Sequence, residues 1–305
     1  MIAPISPLLR SLLRPWEGFL DDLTLVEIMA VKPGEFVLET HKGEFLHHLD
    51  TRLTLSYWEG LIHTLANEQG LEFKPEGQGL LAAILPDARR GGWHRFEAMW
   101  GDRVQNGISA SVRLRRVQSR TMEDFGLEKS SILSLKEALK KGASMLISGG
   151  TSSGKTSLLN ILVKEIPLDK RIITIEDTPE LDLPHPHWVS YRVPRYASSR
   201  HLTYQSLIDH VVRMRPDILI TGEISVDNCF PILRLLNTGH KGFMSTIHAN
   251  SPQAALDHAF QQNLILSGHD TFQSGPYLRS VLDKVIQVDK QSDGKRRVTA
   301  IWEAK

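Results

Sequence analysis

A single cysteine, Cys229, among 305 residues excludes an internal disulfide and any cysteine-rich metal site. That scarcity is compatible with a reducing cytoplasm. An excess of one charge sign is also missing. The chain carries 36 Lys and Arg against 35 Asp and Glu, a formal net charge of +1, so nothing marks it as a dedicated nucleic-acid binder. No apolar run approaches the length of about 18 residues that a membrane-spanning helix needs. The opening stretch, MIAPISPLLRSLLRPWEGFLDD, is mildly apolar but interrupted by Arg10, Arg14 and Pro15. It lacks a continuous hydrophobic region followed by a small-residue cleavage site, so it does not read as a signal peptide. Leu8, Leu9, Leu12 and Leu13 instead suit one face of a short helix docked on its own domain. Internal repeats and low-complexity tracts are absent.

What is present is an ordinary globular composition, 41% hydrophobic and 23% charged, enough for one large or two modest domains. EFVLETHKGEFLHHL alternates like two strands around a His41–Gly43 turn, and Leu53–Gln69 has helical spacing. LLAAILP, HRFEAMW and ISASVRLRR read as further strands. Residues 1–117 are therefore predicted to form an α+β domain, and the polar stretch 118–129 a linker. From residue 130 the pattern changes. SILSLKEALKKGA and TSLLNILVKEI read as helices; MLISGG, RIITIED, PDILITGEI and FMSTIHA read as strands. Strands alternating with helices predict an α/β domain over 130–305 with a doubly wound parallel sheet.

Gly149, Gly150, Thr151, Ser152, Ser153, Gly154, Lys155 and Thr156 match the pattern GxxxxGK[ST] at every fixed position, with Ser157 following. The chemistry requires these residue types. Glycines let backbone N–H groups wrap a phosphate, and a helix N-terminus favours the anion. Lys155 is placed to reach the β- and γ-phosphates of ATP, and the Thr156 hydroxyl to ligate Mg2+. A chance match in a chain of this length is on the order of one in a hundred at average composition, and the strand before it and helix after it supply the expected context. The sequence thus predicts an ATPase.

Such an enzyme needs an acid near Mg2+ and a group to orient the attacking water. Glu176 and Asp177 end the apolar run IITI, and Glu223 follows DILITG. These are the C-terminal ends of predicted strands, where open α/β sheets bind ligands; acids there also cap loops. His240 and His248 fall in GHKGFMSTIHANS without any metal-ligand spacing, and residues of that kind are often structural. His185 and His187, in a Pro-rich segment, are read as structural or solvent-facing.

Four segments in order resemble one family, the type II/type IV secretion traffic ATPases, over about residues 85 to 260. GGTSSGKTS looks like its Walker A motif, RIITIEDTPEL its Asp box, RMRPDILITGEI its Walker B segment and TGHKGFMSTIHANSP its His box. The compact N-terminal region looks most like the small ATPase of type IV secretion. The resemblance implies a RecA-like domain behind a smaller N-terminal domain, a homo-hexameric ring, and MgATP held between the two domains. It implies that Glu223 supports Mg2+ and water and that Glu176 with Asp177 forms a second acidic set. His248 would contact or sense the γ-phosphate, with His240 alongside. An Arg-led strand and a segment ending Ser-x-Arg in the family's N-terminal domain nominate Arg95 and Arg113 for the phosphates, with Arg103, Arg89 and Arg90 as alternatives. Implied partners are inner-membrane subunits of a type IV secretion system and, indirectly, the secreted substrate. Membrane contact would be peripheral, at the cytoplasmic face of the bacterial inner membrane, with no direct nucleic-acid binding. A pilus retraction or assembly motor is the alternative within the family. A low-turnover nucleotide-binding regulatory subunit is the alternative outside the motor class. It draws on one departure: the family's usual Gly-Glu-x-Arg is Gly222-Glu223-Ile224-Ser225 here.

Overall fold

The computed structural model describes residues 5–74, 79–87, 92–115, 120–193, 203–239, 241–269 and 273–304. His240, Arg89 and Arg90 lie outside these residues, as does the start of the stretch read as a linker. The described residues form two compact units, one ahead of residues 118–119 and one after them.

In the first unit, helix α1 (Pro7–Leu13), a 3-10 turn (Arg14–Trp16) and α2 (Glu17–Asp21) precede strands β1 (Leu25–Lys32), β2 (Glu35–Thr40) and β3 (Phe45–Leu49). Helix α3 (Leu55–Glu68) leads on to β4 (Leu80–Asp87), β5 (Gly92–Trp100) and β6 (Ile108–Arg113). The six strands make one antiparallel sheet in the order β3-β2-β1-β6-β5-β4. Alternation gives the sheet its sides. Ile28, Phe36, Leu38, Leu81, Leu85, Phe96, Ile108 and Val112 point into one core, which they share with Trp16 and the α3 stripe Trp58, Leu61, Ile62 and Leu65. Helix α3 starts where it does because the Thr54 hydroxyl accepts the Tyr57 amide, and that apolar stripe then docks it. Arg95 and Arg113 are register partners on β5 and β6, each flanked along its strand by core residues, so both face away from the helices.

The second unit is built differently. Helix α4 (Lys129–Lys140) leads to β7 (Met145–Gly149), α5 (Lys155–Leu162), β8 (Ile172–Glu176), β9 (Trp188–Arg192), α6 (Tyr204–Arg213) and β10 (Ile218–Thr221). There follow α7 (Cys229–Leu236), β11 (Phe243–His248), α8 (Pro252–Ala254), a π-helix (Ala255–Ala259), α9 (Phe260–Leu266), α10 (Ser274–Val281), β12 (Lys284–Lys290) and β13 (Arg296–Glu303). The sheet order is β13-β12-β7-β11-β10-β8-β9, parallel throughout except where β13 runs antiparallel to β12. This is the RecA-like α/β architecture.

Its strands read as near-continuous apolar runs because both sheet faces are covered. On one face Leu146, Ile173, Leu219, Phe243 and Val285 pack with α6, α7, α9 and α10. On the other, Met145, Ile147, Ile172, Ile220, Met244 and Ile286 pack with α4 and α5. Met122, Phe125 and Leu127, within the stretch read as a linker, are buried in that second core. Strands β9, β12 and β13 were not among those read from the sequence. The C-terminal ends of β7, β8, β10 and β11 open on one edge of the sheet, which brings the loops carrying Gly149, Glu176, Glu223 and His248 together.

Candidate nucleotide site

Strand β7 is buried from end to end and stops at Gly149, where the chain turns before α5 begins at Lys155. The turn is crowded. A Cβ on Gly149 would stand 2.3 Å from the Val288 carbonyl oxygen and 2.5 Å from Ser153 Oγ. Ser152 has φ 59° and Gly154 φ 100°, so two of the loop's residues take left-handed conformations. Among the described residues, Gly150 has no neighbour within 4 Å of an added Cβ. Gly149→Ala is accordingly expected to lower stability by about 1–3 kcal/mol, the usual cost of overpacking, with Gly150→Ala within about 0.5 kcal/mol of wild type. Thermal unfolding of the two variants makes the comparison, and equal midpoints would contradict it.

Lys155 is 7% exposed. Its ammonium donates to the carbonyl oxygens of Gly149 at 3.1 Å and Gly150 at 2.9 Å, and stands 3.1 Å from His248 Nδ1. An ammonium is a donor only, so Nδ1 must accept and the ring proton belongs on Nε2. That nitrogen meets Glu223 Oε1 at 3.0 Å. Residues from three sequence motifs thus form one polar chain, Lys155–His248–Glu223.

The Glu223 loop is held by its own chemistry. Asn228 Nδ2 donates to the Glu223 carbonyl at 2.8 Å while Asn228 Oδ1 accepts the Ser225 amide at 2.9 Å. Across from it, Thr246 Oγ1 donates to the Gly222 carbonyl at 2.8 Å. Ser225, where the family pattern has arginine, therefore serves the turn that leads into α7.

Glu176 ends β8 and is 2% exposed. Oε1 accepts the Glu180 and Leu181 amides at 2.8 and 3.1 Å, whereas buried Oε2 has no hydrogen-bond partner among the described residues. Burial pushes its carboxyl up to about 7, against the downward pull of those two amides. An added Cβ at Gly222 would lie 3.4 Å from Glu176 Cγ, which places Glu176 against the Glu223 loop. Asp177 follows; its Oδ1 accepts the Thr178 amide and its carbonyl accepts from Arg192 Nε at 3.3 Å. Arg192 pairs in register with Glu176, and burial lowers its guanidinium from the ordinary value while Asp177 opposes that.

The structure thus brings Lys155, His248, Glu223, Glu176 and Asp177 to one sheet edge, whereas Arg95, Arg113 and Arg103 belong to the first unit. His185 is buried, its Nε2 against the Ile166 carbonyl, and His187 is exposed. Sequence reasoning missed Arg192 and Arg296; the latter's Nε donates to the Ser152 carbonyl and its stem packs over Gly154. The residues fit MgATP. Gly149 leaves no room for a side chain, while Ser153 Oγ and Glu176 Oε2 are buried polar atoms without hydrogen-bond partners among the described residues. Thr156, in the first turn of α5, supplies a hydroxyl of the kind that binds the metal.

The model of the type II/IV secretion system protein family matches residues 103–263. The chain is 35% identical over 206 residues to the type IV secretion system protein VirB11 of Bartonella henselae, covering 65% of this chain and 56% of that protein. It is 28% identical over 287 residues to the conjugal transfer protein TrbB of Rhizobium radiobacter, covering 91% and 83%. It spans about half the length of the two Bartonella VirB11 proteins that it matches, 56% and 48%. The Legionella pneumophila ATPase DotB superposes with a TM-score of 0.64 at 15% identity, covering 97% of this chain and 80% of that one. The pilus retraction motor PilT with bound ADP gives 0.64 at 16% identity, covering 96% and 83%. Both structural likenesses are of fold.

Proposed function

Because the chain belongs to the type II/IV secretion system protein family, we propose that it is an ATP-hydrolysing motor of a bacterial type IV secretion system. The observation that carries this reading is the Lys155–His248–Glu223 chain beside buried Glu176, at the mouth of a complete phosphate loop. Loop amides and Lys155 bind the β- and γ-phosphates. Mg2+, held by Thr156 and Glu223, would neutralise charge developing on the phosphate oxygens. Glu176, whose carboxyl sits near neutrality, takes the proton of the attacking water, and Asp177 completes the acidic set. His248 registers whether Lys155 is engaged with phosphate, because both compete for the same ammonium. Arg95 and Arg113 are offered from the N-terminal domain, which ends at about residue 117. Six subunits form a ring at the cytoplasmic face of the inner membrane. That ring engages inner-membrane subunits of the secretion system and acts on the exported substrate through them.

Light scattering with and without ATP and Mg2+, alongside phosphate release, tests this. A species near six times 34.3 kDa with Lys155-dependent turnover is expected. A monomer that binds nucleotide without turning it over would leave the regulatory-subunit reading, to which Ser225 lends its one sequence feature.

A further inference from the structure

Gln287 lies on β12, paired in register with Ser148 of the phosphate-loop strand, and is 2% exposed. Its amide has three partners. Nε2 donates to the Ala249 carbonyl at 3.2 Å and to Asp289 Oδ1 at 2.8 Å, and Oε1 accepts from Ser148 Oγ at 2.6 Å. Two of those partners can only accept, which fixes which way the amide points. Asp289 is braced in turn by the Thr299 hydroxyl. Ser148 immediately precedes Gly149, and Ala249 immediately follows His248. One buried side chain therefore ties the strand that enters the phosphate loop to the turn that leaves the histidine strand. The β11–β7 ladder ends at the pair His248–Gly149, and Gln287 pins the backbone one residue beyond it.

His248 needs such a brace. Its side chain is 48% exposed, so packing alone does not fix the ring, yet the ring bridges Lys155 and Glu223 at 3.1 and 3.0 Å. We propose that Gln287 is a positioning residue that acts through His248: it holds the β11 end so that the ring spans the lysine of the phosphate loop and the Walker B acid. This rests on reading the site as an ATPase site. Gln287 touches none of the residues assigned to phosphate or metal, so its loss leaves nucleotide binding in place and removes the alignment.

The test uses Gln287→Met, which keeps the volume and deletes all three hydrogen bonds, and Gln287→Glu, which keeps an acceptor for Ser148 but sets a carboxylate against Asp289. Either variant, once folded, suffices. In the full-length chain kcat is expected to fall about 10- to 100-fold, the range for a displaced active-site group, while KM for ATP and the Kd of a fluorescent ADP stay within about twofold. In a His248→Ala background the same substitution is expected to cost nothing further. A loss that is undiminished there, or one that appears in KM, overturns the proposal. A second readout does not depend on turnover. In chain labelled with 15N-histidine, the His248 ring, assigned by difference against His248→Gln, should show a single hydrogen-bonded Nε2–H tautomer in wild type and move towards the averaged ring shifts of a free imidazole in the Gln287 variants. Unchanged ring shifts overturn the positioning role, even for a chain without ATPase activity. Equal phosphate release by wild type and Lys155→Ala would instead refute the ATPase reading.

Discussion

Lys155→Ala is expected to reduce ATP turnover by about 10²- to 10⁴-fold and to weaken nucleotide binding with it. The ammonium is almost wholly buried among the carbonyls of Gly149 and Gly150. A hydrogen bond to a charged group contributes about 1.5–3 kcal/mol. Two such bonds, to the β- and γ-phosphate oxygens of a bound nucleotide, would supply about 3–6 kcal/mol, at roughly 1.4 kcal/mol per tenfold in rate. Lys155→Arg should rescue little, because a planar fork does not replace a compact point charge in so tight a loop. Folding should survive at a cost of about 1–3 kcal/mol, since the Gly149 carbonyl released is buried while that of Gly150 belongs to an exposed residue. Phosphate release and fluorescent-ADP titration make the measurement. Turnover within tenfold of wild type, with binding intact, would show that the loop does not serve the reaction.

The phosphate loop was legible because it depends on local chemistry. Two glycines, a lysine and a threonine at fixed spacing specify a turn and a helix start with little help from the rest of the chain. Strands β7, β8 and β10 of the second unit were legible for the opposite reason. Each must be apolar on both faces, so MLIS, IITI and ILIT stand out as uninterrupted runs. Strand β9 did not stand out. Its residues WVSYR are half-buried at the sheet's edge, behind a Pro-rich segment whose composition signals a loop. Arg192 was lost with it, because what makes that arginine relevant is its register beside Glu176.

The stretch around Met122 to Leu127 illustrates another limit. Its polar residues dominate the composition, yet three apolar side chains bury themselves in the α4–α5 layer. Gln287 and Asn228 are invisible in sequence terms, since a lone amide gains meaning from the backbone carbonyl that it faces. For His248 the sequence offered a motif and the fold supplied the chemistry. Sheet order puts β11 between the phosphate-loop strand and the acid strand, and one imidazole can then touch both.

Glu176→Gln is expected to lower turnover by about 10²- to 10⁴-fold, the usual scale for a lost general base, and at the same time to stabilise the protein above neutral pH. The amide preserves an acceptor for the Glu180 and Leu181 N–H groups and removes an ionisable group that is 2% exposed. Burial raises this carboxyl from 4.5 to about 7. Below pH 4.5 folded and unfolded chains both hold the proton, and its burial costs nothing through ionisation. As pH climbs from 4.5 to about 7 the unfolded chain releases the proton while the folded one keeps it, so stability is lost across that window and stays lost above it. The full penalty is at most roughly 3 kcal/mol, and at about 2–4 °C per kcal/mol it amounts to several degrees in the unfolding midpoint. Glu176→Gln should recover those degrees at pH 8 and progressively fewer as pH falls towards 5. An equal midpoint at pH 8 would mean that the carboxylate is already accommodated in its ionised form. The wild-type rate should rise through pH 7 as the base loses its proton, and that ascending limb should vanish from the residual rate of Glu176→Gln. A carboxylate that is costly to ionise at the end of β8 would then be retained because a general base works best when it titrates near the working pH.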